Sequence, residues 1–112
     1  MGGVINNGHD YRELLRAIVQ ETVAVPVDAG AEGIEDFAIC DDDSGNYLHF
    51  SSGWQGYERV YGPIIHLRIK GEHVIIEVNW TDEDLIERLV EGGVPREAIV
   101  LGWVQPETQP VA

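Results

Sequence analysis

Gly71 and Glu72 lie between two runs of alternating apolar residues, and this constrains the fold more than any other feature of the chain. A two-residue turn with glycine in the first central place joins antiparallel strands as a hairpin. It fixes a register in which Ile69 faces Val74, Leu67 faces Ile76 and Ile65 faces Val78. All six are apolar and share one face. The other face pairs Arg68 with Ile75 and His66 with Glu77. A slip of one residue would turn the whole apolar set to solvent, so the register is strongly specified.

Further strands precede the hairpin. Phe37 and Ile39 alternate with polar or small neighbours, so residues 34–40 read as a strand. The run from Asp41 to Asn46 reads as a turn. Residues 47–52 form a second strand, with Leu48 and Phe50 on one face and Tyr47 and His49 on the other. Gly53-Trp54-Gln55-Gly56 reads as a second reversal with an aromatic anchor inside it. A longer strand covers residues 60–69, and Pro63 within it marks an edge position or a bulge.

Two helices flank these strands. Asp10 and Glu13 have the spacing of a capping box, and Leu14, Leu15, Ile18, Val19 and Thr22 then recur on one helical face. Pro26 stops this helix, and a Gly- and acid-containing loop runs to Gly33. Thr81 reads as the cap of a second helix, with Asp82, Glu83 and Asp84 in its first turn, where the helix dipole favours acids. Leu85, Ile86, Leu89 and Val90 form its apolar stripe. Gly92 or Gly93 ends it in a left-handed turn, and Pro95 prevents its resumption. Ile99-Val100-Leu101 is a short unbroken apolar run, expected to be a strand inside the core. The order is helix, four-stranded antiparallel meander, helix and short fifth strand. The expected class is α+β, with both helices on one sheet face.

A chain of 112 residues is one domain by length, with residues 1–8 and 106–112 read as loosely ordered ends. It buries roughly 65% of its unfolded surface, enough for a core without staples. Cys40 has no second cysteine to pair with and reads as a small apolar residue in a reducing compartment. The N-terminus lacks the basic and apolar regions of a signal peptide. Gly2 is not followed by the Ser or Thr that myristoylation requires at Asn6. No apolar run approaches the ~20 residues of a membrane span. The expectation is a cytoplasmic protein with no membrane association.

Twenty carboxylates against seven Lys and Arg give a net charge of -13. Duplex binding rests on cations that neutralise phosphates, so direct nucleic-acid binding is not expected. The acidity suits either solubility alone or a basic protein partner.

No catalytic, cofactor or metal signature emerges. The run Asp41-Asp42-Asp43-Ser44-Gly45-Asn46 has its glycine and asparagine in reversed order for a calcium loop, and Ser52 stands where the last glutamate belongs. His9, His49, His66 and His73 lack zinc spacing. Gly53 to Gly56 lacks a phosphate loop's lysine and following helix. Trp54, Trp80 and Trp103 read as core or interface anchors. His66 opposite Glu77 would be a base oriented by a carboxylate, one ingredient of catalysis, but no nucleophile accompanies it. The candidate partner-facing residues are His66, Arg68, Glu77, Trp80 and Arg59.

Several segments together carry a family resemblance. Tyr11-Arg12 opens the first helix, and Tyr47-Leu48 precedes Gly53-Trp54-Gln55. Arg59-Val60-Tyr61-Gly62 runs into Ile65-His66-Leu67-Arg68-Ile69. Residues 89–103 follow, then Pro106. In order and spacing, this chain resembles XisI, the fdxN element excision controlling factor family, best known from cyanobacteria. The resemblance implies a small α+β domain and an accessory, non-enzymatic role in programmed DNA excision in heterocyst-forming cells. It implies action through an XisH-like, nuclease-like partner that influences a site-specific recombinase. It carries over no catalytic residue. The chain departs from the family's pattern at residues 76–83 and 107–112. The alternative is a small ligand-binding domain or hydrolase using the face of His66, Arg68 and Glu77. A sheet face bearing Trp and Tyr also suits a homodimer.

Overall fold

The computed structural model describes residues 10–25 and 33–105. The expected terminal disorder, the role of Pro26 and most of the loop before Gly33 lie outside them. Helix α1 (Arg12–Ala24) is followed by strands β1 (Ile34–Asp41), β2 (Asn46–Gln55), β3 (Glu58–Lys70) and β4 (His73–Asn79). Helix α2 (Leu85–Glu91), a 3-10 turn (Arg96–Ala98) and strand β5 (Ile99–Leu101) complete the chain. The five strands form one sheet in the order β1-β2-β3-β4-β5. The first four pair antiparallel, whereas β5 lies parallel to β4, so the sheet is mixed.

Both helices pack on one sheet face, as the sequence pattern predicts. Leu15, Ile18 and Val19 from α1 and Leu85 and Leu89 from α2 are buried with Tyr47, Ile65, Leu67, Val74, Ile76 and Val94. Each large apolar side chain buried in this way stabilises the fold by about 1.5–3 kcal/mol relative to exposure. Cys40 packs at the margin of this core, and burial pushes its thiol above the usual range.

The Gly71 hairpin holds the expected register near its turn, with Ile69, Arg68 and Leu67 opposite Val74, Ile75 and Ile76. It then shifts. His66 pairs with Val78 and Ile65 with Asn79, so Glu77 is the extra residue of a bulge rather than the partner of His66. A second irregularity sets Ile65 opposite His49 and Pro63 opposite Phe50. Pro63 thus stands beside a bulge, as one of its two readings required, but in the central strand and not at an edge.

Other boundaries also differ from expectation. Strands β2 and β3 are longer than predicted, with their reversal at Gly56 and Tyr57, so Trp54 belongs to β2. Asp10 does not cap α1 through a box with Glu13. Its carboxylate takes the Arg12 backbone N–H at 3.3 Å and the Arg12 Nε–H at 2.8 Å. Asp84, not Thr81, caps α2 by accepting the Glu87 N–H at 3.1 Å. Asn79 captures Thr81 instead, accepting its N–H at 2.9 Å and its hydroxyl at 2.6 Å. Gly93, at φ +111°, ends α2 as predicted. Strand β5 is half-buried at the sheet edge rather than enclosed in the core.

Candidate functional site

Strand alternation leaves one sheet face without a helix. It carries the cross-strand pairs Phe37–Phe50, Ile39–Leu48, Leu48–His66, Ser52–Tyr61 and Trp54–Arg59. Phe37 stacks on Phe50 with ring centroids 5.6 Å apart, and Tyr61 meets Phe50 edge-on at 4.9 Å. Tyr61 is 67% exposed and Trp54 55% exposed. The Arg59 guanidinium lies over both, 5.1 Å from the Tyr61 ring centroid and 5.6 Å from that of Trp54. Of the two readings of Trp54, core or interface anchor, its exposure removes the core one.

This face gathers most of the sequence-predicted candidates. Arg59, His66 and Arg68 all project from it along β3. Glu77 joins them through the β4 bulge, where its Oε2 accepts from Arg68 Nε at 2.9 Å. The expected pairing of His66 with Glu77 is not formed. His66 Nε2 lies 2.7 Å from Asn46 Oδ1, while the Asn46 amide donates to Ser44 Oγ. A carboxylate-oriented histidine base is thus not assembled here, and the hydrolase reading loses its central pair. Trp80 lies beyond β4 and, with Trp103, Glu77, Val78 and Asn79, lines a cleft of about 310 Å3.

Burial holds the His66 pKa below the ordinary histidine value, against the opposing pull of the Glu77 charge; the Arg68 charge adds to the lowering. The unfolded chain therefore takes up this proton before the native one does. By linkage, His66 contributes a loss of stability as pH falls below about 6.5. His66→Gln should flatten that part of the stability profile in denaturant titrations between pH 7.5 and pH 5.5. A His66 pKa at or above the ordinary value, measured by NMR, would contradict this.

A second polar cluster, on the helix side, was not anticipated from sequence. His49 and Ser51 are fully buried. His49 Nε2 lies 2.8 Å from Asp36 Oδ1, and its Nδ1 lies 3.1 Å from Thr22 Oγ1. Ser51 Oγ donates to the same Asp36 oxygen. Ser, His and Asp are the residues of a hydrolytic triad, but the arrangement is wrong. The serine must bond the histidine that activates it, and here it bonds the aspartate. The cluster is a hydrogen-bonded network at the floor of a cleft of about 480 Å3, which His49 and Thr22 line together with Glu21, Val25, Thr81, Asp82, Glu83 and Arg88. Arg88 closes it by bonding Glu21 on α1 and Glu83 before α2. The available signal was alternation alone: Tyr47, His49 and Ser51 share a face, opposite Leu48 and Phe50.

The fold and its faces define a small α+β domain with one sheet surface covered by helices and the other open. The sequence model of the XisI protein family matches residues 5–112, and the chain belongs to that family. It is similar to a XisI-like protein from Anabaena variabilis, with 34% identity over 88% of this chain and 89% of that one, at a TM-score of 0.81. It is also similar to the fdxN element excision controlling factor XisI from Anabaena variabilis, with 25% identity over 89% of this chain and 95% of the other, at a TM-score of 0.75. No curated protein matches.

Proposed function

We propose that this protein is a non-catalytic accessory factor in programmed DNA excision, acting through an XisH-like, nuclease-like protein docked on the open sheet face. The observation that carries this reading is the cluster of exposed Phe37, Tyr61, Trp54 and Arg59 around half-buried Phe50, in a chain whose family includes a named excision controlling factor. Aromatic residues and arginine are the residue types that dominate binding energy at protein interfaces. Charge supports a protein partner over a duplex. Five of the seven cationic side chains are already matched by carboxylates of the same chain: Arg12, Arg16, Arg68, Arg88 and Arg96. Few remain to neutralise phosphates.

The test is co-purification with the XisH-like protein at low salt. Phe37→Asp with Tyr61→Asp should weaken the complex by more than about tenfold, the loss of one central interface residue or more. Both positions are exposed, so the fold should persist. No complex with the wild-type protein would overturn the proposal, and full retention by the double variant would move the contact off this face. The same face would serve a symmetric dimer. Sedimentation as a monomer at high micromolar concentration would remove that second arrangement.

A further inference from the structure

The cleft between Trp80 and Trp103 is a separate feature from the aromatic cluster on β2 and β3. Trp80 is 76% exposed and Trp103 58% exposed. Such exposure of two indoles around one hollow is unusual, because large aromatic side chains contribute most when covered. Local structure holds Trp80 in place. Its N–H donates to the Ile64 carbonyl at 2.9 Å, extending the β3–β4 pairing by one residue. The next residue, Thr81, is fixed by two hydrogen bonds to Asn79. Trp103 is delivered by the turn after β5, where the Gly102 N–H donates to the Ile76 carbonyl at 2.9 Å. Glu77 completes the lining.

Two indoles and a carboxylate lining one hollow are the components of a cation receptor. The ring faces attract positive charge, and the carboxylate neutralises it. An ionised carboxylate offers about four lone-pair sites, and Arg68 takes one of them through its Nε–H. The cation–π contacts among the described residues are made by Arg59 to Trp54 and Tyr61. Among the described residues, Trp80 and Trp103 receive none. At about 310 Å3 the cleft lies at the small end of the roughly 300–1,000 Å3 range of ligand pockets, with room for an arginine side chain. The net charge of -13 favours a basic visitor.

We infer that the Trp80–Trp103–Glu77 cleft receives an arginine side chain of a basic polypeptide partner. A planar guanidinium stacks on an indole while its edge donates in a fork to a carboxylate, which a lysine ammonium cannot do in the same way. The cleft meets the open sheet face at Glu77, where the carboxylate also holds Arg68. One partner could therefore use both surfaces. The inference rests on the partner reading only for the identity of that polypeptide, since the pocket's chemistry stands without it.

The experiment is an NMR titration of the folded protein with an arginine-rich peptide, read at the three indole N–H signals. Matched peptides carrying citrulline, lysine or norleucine in place of arginine serve as comparisons. The Trp80 and Trp103 signals should shift with saturation on adding the arginine peptide, more strongly than Trp54. The citrulline and norleucine peptides should leave them unmoved. Trp80→Ala and Trp103→Ala should each weaken the arginine peptide by about tenfold, between the scales of an exposed and a desolvated cation–π contact. Glu77→Gln keeps an acceptor for Arg68 and should weaken it several-fold, with a shallower salt dependence. An equal response to citrulline or to lysine would overturn the guanidinium assignment. Absent shifts, or variants that bind like the wild type, would overturn the site. Loss of XisH-like capture with these shifts intact would sink the partner's identity and leave the pocket.

Discussion

His49→Ala should remove about 3–5 kcal/mol of folding stability, the combined cost of a large-to-small change at a fully buried site and of hydrogen-bond partners left unsatisfied. The reason lies in what remains. Asp36, nearly as buried as His49, would keep Ser51 as a donor and lose the imidazole. Thr22 would lose its contact with Nδ1 and a cavity would open beneath α1. Domains of this size hold only about 5–15 kcal/mol in total. The melting temperature should therefore fall by on the order of 15 °C, and urea denaturation would show the same shift in midpoint. Ser51→Ala should cost less, about 1 kcal/mol, because it deletes a neutral donor from a carboxylate that keeps another partner. Removing both members should be gentler than the sum. A double change of His49 and Asp36 to apolar residues leaves neither group of the pair buried without its partner, so the two losses should be strongly non-additive. Additive losses, or a His49→Ala cost below about 1 kcal/mol, would show that the network contributes little.

The same network marks where sequence reading stops. Alternation correctly separated Tyr47 and His49 from Leu48 and Phe50, but hydrophobicity cannot say which set is covered. The structure turns Tyr47, His49 and Ser51 inward because polar partners wait there. Asp42 takes the Tyr47 hydroxyl at 2.6 Å, and Asp36 and Thr22 take the histidine. Burial, and then the bond to Asp42, push the Tyr47 phenol up from its usual range. Those partners lie five to twenty-seven positions away in sequence, beyond the reach of any local pattern. Leu48 and Phe50 consequently face the open side, where they build the interaction surface.

The hairpin at Gly71 shows a different limit. Its turn chemistry and apolar alternation predicted three pairs correctly, because each follows from the turn by counting. Counting fails at the first bulge, and nothing in Ile76-Glu77-Val78 announces an extra residue. That single insertion moves Glu77 from His66 to Arg68 and with it the chemistry of the face. The second helix was legible in its stripe but not in its cap. Four polar residues from Thr81 to Asp84 could each start a helix, and a side chain outside that run, Asn79, decided by engaging Thr81. The parallel placement of β5 follows from α2 carrying the chain back along the sheet, which a short apolar run alone does not encode.

Gly53→Ala is expected to be the second large loss, and it would link the scaffold to the open face. A Cβ on Gly53 would stand 1.9 Å from the Gly33 carbonyl oxygen and 2.8 Å from the Ile34 Cα. Both obstacles are backbone, so no rotamer change relieves them, and β1 must part from β2 at this end. The cost should be about 3 kcal/mol, the upper part of the range for overpacked sites. Gly62 provides the control. Its φ of +153° nearly equals the +156° of Gly53, yet its added Cβ would meet nothing within 4 Å. Gly62→Ala thus carries the backbone strain alone, and the difference between the two variants measures the close approach. The consequence for function follows from the bonds at that end of the sheet. The Trp54 N–H donates to the Gly33 carbonyl at 3.0 Å, and Arg59 donates to the Gly53 carbonyl at 3.0 Å while lying over the Trp54 ring. Forcing the strands apart should therefore disperse the Trp54–Arg59 pair and weaken partner capture even below the melting transition, whereas Gly62→Ala should leave capture intact. Equal destabilisation by the two variants would show that backbone angle, not the contact with Gly33, requires glycine at position 53.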